Sequence, residues 1–207
     1  SRSMSWMRAL RLMQTSNEAG SSLTEQTAVA VMLSYTIFVP FGLIYNEALG
    51  GVWGQLGPTV VRLDEPRYPL HVNLRVGTVM SLFNTITGRV FAAYLPEKMV
   101  RSMLEDEHRR VVGGTSASFD APEVQALLGE IRATGMGRGV SMPQPGVNTL
   151  CAPVFDAAGH IALVMTMIGP QGVFDAEIDS AAGELLRKHA RRTSLRLGHS
   201  VLTTAIG

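Results

Sequence analysis

Cys151 is the single cysteine of a 207-residue chain, and His160 follows it nine positions later in GVNTLCAPVFDAAGHIALVMTMIGP, Gly146 to Pro170. A thiol and an imidazole could serve as nucleophile and base, provided that the fold holds them within hydrogen-bond reach. Asp156-Ala157-Ala158-Gly159 is a turn signal between two apolar runs. It predicts a hairpin with Phe155 opposite His160, Cys151 opposite Val164 and Thr149 opposite Thr166. That register separates thiol and ring by roughly 13 Å along the strand, at about 3.3 Å per residue. Cys151 then reads as a small buried hydrophobe and His160 as a hairpin-tip residue.

The two faces of the predicted hairpin differ. One carries Leu150, Ala152, Val154, Ile161, Leu163, Met165 and Met167, an apolar set that must be core. The other carries Thr149, Cys151 and Pro153 with Ala162, Val164, Thr166 and Ile168, an apolar surface holding two hydroxyls. A few polar groups on apolar walls can line a small-molecule pocket. The same pattern also suits a threonine cross-strand pair on a buried or solvated face.

The elements that must position this hairpin follow from periodicity and punctuation. Ala48 to Asp64 suggests two short strands around the turn Gly54 to Pro58, and Leu70, Val72, Leu74 and Val76 alternate with polar residues as in a half-buried strand. SLFNTITGRVFAAYLP predicts a helix that starts near Ile86 to Gly88, is capped by Asn84 or Thr85, and ends at Pro96 with Val90, Phe91, Tyr94 and Leu95 inward. A second helix is expected from Glu97 to about His108 with Met99, Val100, Met103 and Leu104 inward. A third spans Asp120 to Thr134, with Asp120 as cap, Pro122 in the first turn, Val124, Leu127, Leu128 and Ile131 on one face, and Gly135 as stop. The last runs from about Asp175 to Leu197. Strands, helices, strands and a helix in that order argue for an α+β fold with an antiparallel sheet.

Composition narrows the class. The chain is 46% hydrophobic, enough for a sizeable core, and its net charge of +1 gives no field suited to nucleic acid or a membrane surface. One cysteine excludes an internal disulfide or a multi-thiolate metal site and fits a reducing cytoplasm. Ser1 to Ser22 has no apolar signal core, and the absence of an initial methionine suggests an excerpt or a tag remnant at Ser1 to Ser3. Thr27 to Asn46 is uncharged over 20 residues, but Ser34, Tyr35, Thr36, Pro40 and Gly42 argue for a buried helix leading into a strand rather than a membrane span. Met4 to Met13 has the pattern of a short amphipathic helix, so residues 1–42 are expected to form a helical arm and residues 43–207 the main domain.

GPTVVRLDEP, LRVGTVMSLFNTITGRVFAAYLPE, RATG and the hairpin stretch, in that order, resemble the effector-binding domain of the IclR family of bacterial transcription regulators. The resemblance covers about Ala48 to Gly198. It implies a GAF/PAS-like antiparallel sheet flanked by helices, a small organic acid as effector, no cofactor or metal, and a homodimer or homotetramer in the cytoplasm. It also implies that operator DNA is gripped by a winged helix-turn-helix domain, which is not in this chain. Carried over position by position, the family's pocket falls on Val72, Met80, Ile86, Thr87, Gly139, Val147, Thr149, Thr166 and Ile168. Members that bind very small acids carry glycine, an acid and serine where this chain has Ile86, Gly139 and Ile168, so the resemblance implies an effector with more apolar surface, or a pocket partly filled by its own side chains.

Other groupings read as structural. Glu105 to Arg110 suits a solvated helix end, and Gly113-Gly114 and Gly135 to Gly139 lack the strand-then-helix context of a phosphate loop. Arg187, Lys188, Arg191, Arg192 and Arg196 complement the dipole of the last helix. Two rivals to a non-enzymatic sensor stand beside it: a small enzyme using Cys151, and a membrane-tethered ligand-binding module.

Overall fold

The computed structural model describes residues 47–64, 74–110 and 118–200. The proposed arm, the uncharged run Thr27 to Asn46 and Val72 lie outside the described residues.

Strands β1 (Glu47–Gly54) and β2 (Gly57–Asp64) form the first hairpin, with a bulge between Gly50 and Gly51. Gly57 adopts φ 118°, a conformation that a side chain would disfavour, and so lets the chain reverse after Gln55-Leu56. The second hairpin joins β4 (Val147–Phe155) to β5 (Ile161–Pro170), and β3 (Gly137–Gly139) pairs with the free side of β4. All pairings are antiparallel, and the strand order is β2-β1-β5-β4-β3. Leu74 and Arg75 do not extend a strand: Thr78 N–H donates to the Arg75 carbonyl in a turn at Gly77, and the chain then meets β2 in an isolated bridge, Val79 to Thr59, flanked by bonds of Gly77 and Thr78 to Val60 and of Met80 to Pro58.

Helices α1 (Ile86–Tyr94), α2 (Glu97–Arg110) and α3 (Pro122–Thr134) supply Ile86, Val90, Phe91, Val100, Leu104, Leu128 and Ile131 to one cluster, joined by Leu82 of the turn before α1, against Cys151 and Val164 of the sheet. Helix α4 (Ala181–Arg196) covers the other face through Leu186 and Ala190, against Leu150, Ala152, Val154, Leu163, Met165 and Met167. The fold is therefore the expected α+β arrangement, with both sheet faces covered.

Several local expectations change. Residue 155 pairs with 161, but a bulge between Val154 and Phe155 shifts the rest of the hairpin, so Cys151 faces Thr166 and Thr149 faces Ile168. The shift equals two residues and preserves face assignments along the strands, because side chains alternate with period two. At the bulge itself Ile161 leaves the α4 face and joins the α1–α3 cluster. Met99 and Leu127 are exposed rather than inward. Ala121, not Asp120, is the N-cap of α3, because both Asp120 carboxylate oxygens accept from Arg101, whose guanidinium also lies over the Phe119 ring. Helix α4 starts at Ala181 because the side chain of Asp175 accepts from Glu177 N–H in a turn, and Ser180 is the residue that caps the helix through Gly183 N–H.

Candidate functional site

The start of α1 is fixed from three sides. Thr85 donates to the Ser81 carbonyl (2.8 Å) and accepts from Gly88 N–H (3.0 Å), while Glu107 of α2 accepts from Leu82 N–H (3.1 Å). Gly88 is required for closeness, since a Cβ there would lie 2.2 Å from the Ser81 carbonyl oxygen. The run expected to be a solvated helix end thus contributes one carboxylate that holds the turn before α1. The amides of Ile86 and Thr87 find no acceptor among the described residues, as is normal for the first turn of a helix.

This helix start presses Thr87 onto the sheet. Thr87 Oγ1 lies 3.0 Å from Thr166 Oγ1 of β5 and 3.6 Å from Cys151 Sγ of β4, and Cys151 Sγ lies 3.2 Å from Thr166 Oγ1. Two hydroxyls and a thiol close a triangle, with Thr166 and Cys151 fully buried and Thr87 nearly so. Each group can donate one hydrogen and accept another, so the triangle satisfies itself in an apolar interior. Burial pushes the Cys151 thiol up to about 12, and the two threonines only partly oppose that shift. A thiol so placed stays protonated at neutral pH and is no nucleophile. His160 lies beyond the strand end with its side chain largely exposed and beside Asp156, and it gives Cys151 no base.

The described residues expected at the site fall into four groups. Thr87 and Thr166 belong to the triangle. Thr149 lies on the same sheet face, buried, but its hydroxyl donates to the Met142 carbonyl (2.6 Å), leaving it as an acceptor only. Met80, Val147 and Ile168 pack in one small cluster with Leu49 and Val60. Ile86 lies over β3, where a Cβ on Gly139 would fall 2.6 Å from its Cγ1 and one on Gly137 would fall 2.7 Å from its Cγ2.

Sequence reasoning passed over Cys151 as a neighbour of Thr166, because the bulge that sets the true register has no sequence marker. It also passed over Gly51 and Gly137, whose missing side chains make room for Met80, Thr87, Ile86 and Val90. A glycine at alternate positions of a strand pattern was the available signal. Among the described residues, no group of three or more His, Cys, Asp or Glu side chains could hold a metal ion, and no helix is long and apolar enough to cross a membrane.

Comparison with known proteins gives the arrangement a context. Residues 53–195 match the family described as bacterial transcriptional regulator IclR, C-terminal. The crystal structure of Pseudomonas aeruginosa HmgR is similar with a TM-score of 0.67 and 32% sequence identity, over 94% of this chain and 74% of that one. Thermotoga maritima IclR gives 0.67 and 18% over 84% of this chain and 69% of that one. The C-terminal domain of the E. coli transcriptional regulator KdgR gives 0.62 and 19% over 84% and 99%. The last two likenesses speak to fold alone. No curated protein sequence matches the chain. The family match and the likeness to HmgR together show that this chain belongs to the IclR family of bacterial transcriptional regulators and carries its C-terminal domain.

Proposed function

We propose that the domain senses a small organic acid with substantial apolar surface, at a site formed by Val72, Met80, Ile86, Thr87, Gly139, Val147, Thr149, Thr166 and Ile168. The observation that carries this reading is the buried triangle of Thr87, Cys151 and Thr166 beneath the first turn of α1. A carboxylate entering there would receive hydrogen bonds from Thr87 and Thr166 in place of those they now share. The unpaired amides of Ile86 and Thr87 and the helix dipole favour the same charge. Thr149 would accept from a hydroxyl or protonated group of the effector, since its own proton is held by Met142.

In this reading residues 43–207 are the sensing domain and residues 1–42 the arm that connects it to a winged helix-turn-helix domain. Effector binding alters the packing of a cytoplasmic homodimer or homotetramer and hence the grip of the DNA-binding domains on the operator, a coupling between two sites. The domain itself is no enzyme, in keeping with a buried, protonated thiol that has hydroxyl neighbours and no base.

A panel of benzoate, phenylacetate and branched aliphatic carboxylates, followed by thermal shift and calorimetry, tests the proposal. At least one class should bind, and Thr166→Val should weaken it by about tenfold or more, the worth of a hydrogen bond to a charged group. Binding that survives both Thr166→Val and Thr87→Val unchanged would place the acid elsewhere. A second reading, a structural domain without effector, is favoured by the close seating of Ile86 on Gly137 and Gly139. In that case no carboxylate in the panel would bind.

A further inference from the structure

The same sheet face is bare in two places, and different kinds of side chain cover them. On β3, Gly137 and Gly139 lie under Ile86: a Cβ on Gly139 would fall 2.6 Å from Ile86 Cγ1 and 2.8 Å from Cδ1, and one on Gly137 would fall 2.7 Å from Cγ2 and 2.6 Å from Val90 Cγ2. Neither glycine has a positive φ, so they serve to leave space rather than to relax the backbone. On β1, a Cβ on Gly51 would lie 3.1 Å from Met80 Cε and 3.1 Å from Thr87 Cγ2.

Ile86 is held along its length. It is β-branched, sits in the first turn of a helix where its χ1 is restricted, and presses three side-chain carbons against two strand residues. The Met80 atom nearest the Gly51 floor is its terminal methyl. Its side chain is unbranched with three rotatable bonds, and its backbone lies outside any helix or strand, in the segment where Met80 N–H donates to the Pro58 carbonyl at the edge of β2. Met80 and Thr87 share the Gly51 floor, so space vacated by Met80 adjoins one corner of the hydroxyl and thiol triangle.

We propose that Met80 is the movable stopper of the pocket and Ile86 its fixed wall. The apolar part of an entering acid takes the volume over Gly51 that the end of Met80 now fills, while its carboxylate reaches Thr87 and Thr166. This rests on the sensing function proposed above and adds which side chain yields. It makes Met80 and Gly51 the specificity-determining pair: the size of apolar group admitted is set by how far Met80 withdraws, and the β3 side stays closed.

The test uses the 207-residue chain with two probes of matched shape, 4-fluorobenzoate and fluorobenzene, followed by fluorine NMR titration. Met80→Ala removes the stopper, so both probes should bind about tenfold or more tightly than to the unaltered chain, the scale of a few carbons in an apolar pocket. Ile86→Ala should gain less. Gly51→Ala, whose added methyl occupies the floor, should weaken 4-fluorobenzoate by a similar factor, and it supplies the measurement should Met80→Ala not fold. In a chain whose methionine methyl groups are carbon-13 labelled, the signal lost in Met80→Ala should be the one that moves when 4-fluorobenzoate is added. A larger gain in Ile86→Ala than in Met80→Ala, or no loss in Gly51→Ala, overturns the proposal. Tighter fluorobenzene with unchanged 4-fluorobenzoate in Met80→Ala would keep the apolar subsite over Gly51 and overturn acid sensing.

Discussion

The two faces of the central hairpin are built to different standards. Toward α4, Leu150, Ala152 and Val154 oppose Met167, Met165 and Leu163 without a polar side chain, and all six are buried. Toward α1, the same strands present Thr149, Cys151 and Pro153 opposite Ile168, Thr166 and Val164, with glycines on the flanking strands β1 and β3. Both faces are shielded from water, so burial alone does not require the difference. An apolar set would have packed the α1 face without the need to satisfy three hydroxyls and a thiol. Local departures from simple core design concentrate where a protein has other work to do. The α4 face is core packing, and the α1 face is the one on which the proposed effector site lies.

Deleting atoms from the first face is the strongest way to test that division. Leu163→Ala removes a side chain that is 2% exposed and packed against Val52, Val154 and the helix α4 cluster. It should lower stability by about 2–5 kcal/mol in urea unfolding, as buried leucine truncations do. Thr166→Val, almost the same shape, removes only the corner of a hydrogen-bonded triangle and should cost about 1 kcal/mol. Equal losses from the two changes would remove the contrast between the faces.

A smaller effect tests the glycines. Gly139→Ala places a methyl against Ile86 carbons that are already within 2.8 Å of its Cβ, so Ile86 or β3 must shift. Overpacking of this kind costs about 1–3 kcal/mol. Ile86→Ala alone leaves a cavity, but combined with Gly139→Ala the new methyl fills part of it. The double variant should therefore be more stable than the sum of the two single losses, a coupling that a double-mutant cycle measures directly. Strict additivity would mean that the two residues do not share one volume.

The sequence made much of this frame legible, for identifiable reasons. Thr85 caps α1 through Gly88, and Gly135 ends α3 with φ 70°, as the residue types at those positions require. Alternation assigned the hairpin faces correctly except at Ile161. Tertiary choices were harder to read. Asp120 looked like a cap until Arg101, 19 residues earlier, claimed both its oxygens. The partner of Cys151 depended on a bulge next to Phe155, and a two-residue register change leaves the alternating pattern untouched. Thr149 and Thr166 were visible as hydroxyls on one face, but their separate partners, Met142 and the triangle, come from a loop and a helix that meet the sheet only in three dimensions.

Cys151 carries the smallest expected effect and the most specific one. Its ordinary value is 9.0, and burial pushes it up to about 12, so folding holds a proton that the unfolded chain would release in the interval between. Below pH ~9 the thiol is protonated in both states and its contribution to stability is constant. Above that, the unfolded state binds fewer protons than the folded one, and stability falls as pH rises toward the folded value. Tyrosines and lysines titrate in the same range, so the useful quantity is a difference. Urea midpoints for the unaltered chain and for Cys151→Ala should run parallel from pH ~7 to ~8.5 and converge as pH rises to ~10, because only the former loses the thiol's contribution. Midpoints that stay parallel throughout would mean that the thiol ionises as easily in the folded domain as in the unfolded chain. The triangle beneath α1 would then be open to water, unlike the closed apolar face beneath α4.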